Sequence, residues 1–207
     1  MSRIAVLSLL TLLTAVGCRT FSWKEGPSRR TGAGAGQDGI HDRLIAIAED
    51  LLADSEERPE YGGADLYRML DELGAAGAWR SGQGVRRLVE IAKRRHAYRA
   101  EGNPKPGDIV LFHNQWDANS NGEMDDWLTG AGVVVKSTGG RFEVVTRTGH
   151  APRRIRVCPD TPSQHSVGGE VVNSFARVPR KSDPKDAVYL AGQLYAGFID
   201  IEEWIED

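Results

Sequence analysis

Apolar residues along this chain recur first at helical spacing and later in short runs bounded by turn residues, so it reads as helices followed by strands. Ile40, Leu44, Ile47, Ala48, Leu51 and Leu52 fall on one stripe and predict an amphipathic helix over 40–53. Leu66, Leu70 and Leu73 do the same over 64–73, with Gly74 placed to cap the C-terminus. A third helix is predicted over 85–99, with Val85, Leu88, Val89 and Ala92 inward and most of its basic residues outward. Such a basic face is solvated in most proteins, and contact with anionic lipid or wall polymer is its functional alternative. Pro106-Gly107 is a turn signal before the strand Ile109–Phe112, and a polar, acidic loop separates that strand from a second β-branched run over 131–135. Beyond Gly140 the pattern predicts strands over 141–148, 153–158 and 171–178. Ala187, Leu190, Ala191, Leu194, Tyr195 and Phe198 then predict a terminal helix, and 200–207 reads as an acidic tail. Helices first and antiparallel strands afterwards give one α+β domain over 40–199.

The first residues change this picture. Arg3, an apolar run over 4–13 and the small residues before Cys18 have the build of a secretory signal peptide, too short to span a bilayer. Ala15-Val16-Gly17-Cys18 is similar to a bacterial lipobox, which implies lipidation of Cys18 and a membrane anchor. Arg19 rather than Asp follows, which by known sorting patterns favours the outer membrane, facing the periplasm or the cell surface. Residues 19–39, rich in Gly, Ser, Arg and Pro, read as a flexible linker. A formal net charge of -3 over 207 residues removes the electrostatic case for nucleic acid. With Cys18 lipidated, Cys158 has no disulfide partner and reads as a buried thiol at a strand end.

The segment Pro106-Gly107-Asp108 with Ile109–Phe112, followed by Thr129-Gly130-Ala131-Gly132-Val133-Val134, resembles the core of the NlpC-type and CHAP cysteine peptidases. These are papain-like cell-wall hydrolases in which a strand opening with His follows the first core strand. The resemblance implies a papain-like fold, N-terminal helices packed on an antiparallel sheet, and an ancestral cleft that cuts amide bonds in peptidoglycan. It also implies a nucleophilic Cys at the N-terminus of the second helix, where the dipole lowers a thiol's pKa. Counting back from Gly74 puts Gly62 at that position, or Gly63 one register later. Gly130 stands at the His position and Thr146 at that of the third, orienting residue. Without the thiol, the imidazole and its orienting group, this chemistry has no nucleophile and no base.

Other candidates are few. His113 ends the first core strand; it reads as a hydrogen-bonded strand-end residue, with a role in an unrecognised constellation as the alternative. His150 and His165 lack zinc-ligand spacing. Asp117, Asn119, Asn121, Glu123, Asp125 and Asp126 with Gly122 imitate the first half of an EF-hand calcium loop, although Leu128 stands where the bidentate Glu would close it. The alternative is a connector whose side chains cap their own backbone, and both readings stay open. The expected function is that of an envelope-anchored, catalytically inactive NlpC/CHAP-like domain binding a peptidoglycan peptide or an envelope protein. An active wall amidase and a calcium-stabilised structural module are the alternatives.

Overall fold

The computed structural model describes residues 38–53 and 62–206. Cys18, the signal peptide and all but the end of the predicted linker lie outside the described residues. Helices α1 (Asp38–Leu51), α2 (Gly62–Glu72) and α3 (Val85–Arg94) come first. Strands β1 (Tyr98–Arg99), β2 (Ile109–Phe112), β3 (Gly130–Thr138), β4 (Arg141–Thr148) and β5 (Ala151–Val157) follow. A small hairpin, β6 (Ser166–Val167) and β7 (Glu170–Val171), precedes α4 (Ala191–Leu194), β8 (Tyr195–Ile199) and α5 (Ile201–Ile205). The fold is α+β, with a six-stranded sheet in the order β1-β8-β2-β3-β4-β5. All its neighbouring strands run antiparallel. Among the described residues no helix is long and apolar enough to cross a membrane.

Both faces of the sheet are covered, which is why β2 reads as a continuous apolar run rather than an alternation. Ile109 and Leu111 pack with Leu44, Leu66, Leu70 and Leu88 from the helices. Val110 and Phe112 face the other way, onto Phe142, Val144, Ala191 and Leu194. The predicted stripe of α1 is the one that packs. Gly74 ends α2 in the left-handed region at φ +68°, with its N–H on Asp71 O and that of Ala75 on Leu70 O, a Schellman motif.

Four boundaries differ from the sequence pattern. The third helix stops at Arg94 because His96 takes the left-handed position (φ 58°) that glycine usually marks, with Ala97 N–H on Ala92 O. The predicted strand over 171–178 is largely irregular. There the fully buried Asn173 amide bonds the carbonyls of Thr161 and Gln164 and accepts the Cys158 N–H, holding loops together in place of a ladder. The predicted terminal helix breaks after four residues. Gly197, at φ +96°, follows within strand β8, which inserts between β1 and β2. The predicted acidic tail instead belongs to the core. Asp200 caps α5 through the N–H groups of Glu202 and Glu203, and Ile201 and Trp204 are fully buried.

Candidate functional site

The start of α2 and Thr129, the residue before β3, border one cleft of about 330 Å³, lined by Gly63, Ala64, Val85, Trp116, Trp127 and Thr129 among others, whereas Gly130 and Thr146 do not line it. Gly62 begins α2, and its neighbour Gly63 faces this space. A Cβ on Gly63 would meet only Val85 Cγ2, at 3.4 Å, and the Val85 nitrogen, so the helix end has room for a side chain.

Gly130 has no such room. A Cβ there would fall 2.6 Å from Gln115 Cδ and 3.0 Å from Gln115 Cβ, because the buried Gln115 side chain lies over the glycine. Thr146, on the neighbouring strand opposite Gly132, donates its hydroxyl to Ala131 O at 2.7 Å. Its oxygen stands 3.5 Å from Gln115 Nε2. The residues at the expected base and orienting positions are thus brought together on Gln115. Thr129 fixes that side chain's backbone: its hydroxyl accepts the Gln115 N–H (2.9 Å), and its carbonyl accepts the Trp116 indole N–H (3.0 Å). Sequence pattern gave no hint of Gln115, because a glutamine in a polar loop is ordinarily solvated.

α2 is also tied to the sheet. Arg147 Nε lies 2.6 Å from Asp65 Oδ2, both side chains being buried, and Arg68 approaches the other oxygen at 2.6 Å. Arg147 also donates to His150 O at 2.6 Å.

His113 does not line the cleft. Its Nδ1 accepts the Leu128 N–H (3.1 Å), its own N–H bonds Leu194 O (2.8 Å), and its ring stands edge-on to Trp127 at 4.5 Å. Burial pushes its pKa down, which keeps the imidazole neutral and able to accept. It braces the return of the acidic loop. Cys158 is fully buried behind the end of β5, with its sulfur accepting from Thr161. His165 Nδ1 contacts Asn173 O at 2.7 Å, a structural role.

The acidic loop itself is ordered by its own side chains. Asp117 Oδ2 accepts the Gly122 N–H (3.1 Å), Asn119 Oδ1 that of Asn121 (3.0 Å) and Asn121 Oδ1 that of Glu123 (2.8 Å). The Asp125 carboxylate takes the amide groups of Asn119 and Asn121 at 3.1–3.3 Å. At the base, Asn114 and Asp126 pair reciprocally, each bond being 2.7 Å, and Arg177 holds Asn114 O at 3.0 Å. Among the described residues no group of three or more His, Cys, Asp or Glu side chains is placed to hold a metal ion.

The chain matches no known protein family, no curated protein and no solved structure.

Proposed function

We propose that this is an envelope-anchored papain-like domain of the NlpC/CHAP type whose cleft binds a peptide of the wall and does not cut it. The observation that carries the reading is Gln115. Its side chain fills the volume that any side chain at position 130 needs, while the helix end that would carry a nucleophile presents glycine. A cleft with neither thiol nor imidazole has nothing to attack a carbonyl or to move a proton.

What remains suits recognition. Trp116 and Trp127 provide apolar walls, and Trp127 is 63% exposed, a costly arrangement for a side chain with no ligand. The Arg86 side chain at the cleft gives it a positive group suited to a peptide carboxylate. Peptidoglycan stem peptides carry such carboxylates, and the lipobox at Cys18 supports their neighbourhood.

Isothermal titration with purified stem peptides and a soluble muropeptide digest tests this. Saturable binding that Trp127→Ala abolishes without lowering the melting temperature is expected, with the peptides recovered intact by mass spectrometry. Cleavage by the unmodified chain, or no binding to any stem peptide, would overturn it.

A further inference from the structure

We propose that the loop over 117–125 binds a single calcium ion through Asp117, Asn119, Asn121, the carbonyl of residue 123 and Asp125. Asp117 carries the case. The residue is only 6% exposed, one carboxylate oxygen is held by the Gly122 N–H, and the other, Oδ1, is buried with no hydrogen-bond partner. A buried carboxylate oxygen left unpaired costs several kcal/mol unless a cation meets it. Because Oδ2 is anchored on Gly122, across the turn, the same carboxylate is turned into the loop it spans. Asp126, equally buried, also keeps one oxygen without a partner, so two orphaned carboxylate oxygens occur within ten residues of chain.

The remaining donors are placed by the backbone. Asp117, Asn119 and Asn121 each accept an N–H further along the loop, and so curl the chain about these side chains. Asp125 is drawn over the same side chains by the Asn119 and Asn121 amides. Counting Asp117 as the first position, these are the first, third, fifth and ninth side chains, and the carbonyl of residue 123 is the seventh, the donor spacing of a calcium loop. Gly122, at φ +77°, makes the sharp turn at the sixth.

The chemistry of the set selects the ion. Every donor is oxygen, and only Asp117 and Asp125 are charged, so soft or nitrogen-preferring metals have no ligand here. The donors sit on a flexible loop rather than in the near-ideal octahedron that magnesium demands, which suits the larger ion. Leu128 at the twelfth position supplies no bidentate carboxylate, so affinity belongs in the weak range of extracellular modules, roughly 10⁻⁴–10⁻³ M.

The test is independent of peptide binding. The purified chain, stripped with a chelator, is titrated calorimetrically with calcium chloride and with magnesium chloride, and its melting temperature is followed in parallel. Terbium luminescence sensitised by Trp116 and Trp127, which flank the loop, reports occupancy of the same place. One calcium per chain is expected, with a higher melting temperature, no comparable effect of magnesium, and affinity reduced about tenfold or more in Asp117→Asn and in Asp125→Asn. Without calcium, Asp117→Asn, which keeps an oxygen for the Gly122 N–H and loses the orphaned charge, should melt no lower than the parent. Absence of saturable calcium binding at millimolar concentration would overturn the proposal. So would undiminished binding in both variants, which would place the ion elsewhere.

Discussion

Arg147 near the end of β4 and Asp65 in the first turn of α2 form a buried ion pair at 2.6 Å, and this pair sets where the helix N-terminus stands against the sheet. Gly63 and Ala64, one and two residues before Asp65, line the cleft, so the pair fixes one wall of the site. Removing one partner strands the other's charge in the core, which costs far more than the intact pair contributes. Asp65→Ala should therefore lower stability by about 3–5 kcal/mol in urea unfolding, while Asp65→Leu with Arg147→Met should recover most of the loss. A double variant as unstable as Asp65→Ala would show that the pair's role is not electrostatic.

Placing an imidazole at position 130 requires moving Gln115 first. Gly130→His alone forces an imidazole into the volume of the Gln115 amide and should destabilise the domain by about 1–3 kcal/mol through overpacking. Adding Gln115→Ala should relieve much of this. Gly63→Cys has room at the helix end and should react with an alkylating probe, but without an imidazole it gains no hydrolysis. The triple variant Gly63→Cys, Gln115→Ala, Gly130→His should show a trace of hydrolysis above the single variant, since acid–base assistance contributes about 10²–10⁴ in rate. Muropeptide release by Gly63→Cys alone, followed by mass spectrometry, would show that the catalytic position lies elsewhere.

Much of the frame was legible because its signals are local. The stripe on α1, the Gly74 cap and the apolar run of β2 depend on residues a few positions apart. What stayed hidden was decided by distant partners. Tyr195 to Ile199 carry a pattern compatible with a helix, and only the open edge of β2 and the pairing with β1 make them a strand. His96 ends α3 without the glycine that announces such an end. Gln115, Asp65 and Arg147 matter through contacts 15 to 82 residues away in sequence, as Gly130 and the ion pair show, and no periodicity encodes those.

The C-terminal residues likewise depend on distant partners. Trp204 is fully buried, donates its indole N–H to Ala75 O at 2.7 Å and lies under Arg95, whose guanidinium carbon stands 5.1 Å from a ring centroid. Trp204→Ala should cost about 3–5 kcal/mol, and Trp204→Phe about 1–3 kcal/mol, because it leaves the Ala75 carbonyl unpaired. Deleting 200–207 removes Ile201 as well and should leave a chain without a cooperative thermal transition. A deletion that melts like the parent would return these residues to the role of a tail.

His113 gives the acid side of the stability curve a specific cause. Its ordinary pKa is near 6.5, and burial lowers it in the folded chain. Protonation would also place an N–H where Nδ1 now accepts from Leu128, breaking the bond that closes the acidic loop. The unfolded chain therefore binds the proton more readily than the folded one, and stability rises with pH across this window. The contribution is complete above about pH 6.5 and is lost as pH falls toward the folded pKa, at up to about 1.4 kcal/mol per pH unit. His113→Asn offers an amide oxygen to the Leu128 N–H and cannot titrate. Carboxylates elsewhere act on both proteins alike, so the difference in unfolding free energy between parent and variant isolates this one group. That difference should move in the variant's favour as the pH is lowered below 6.5. A difference that stays constant from neutral to acid pH would mean that His113 is not the residue holding the loop closed.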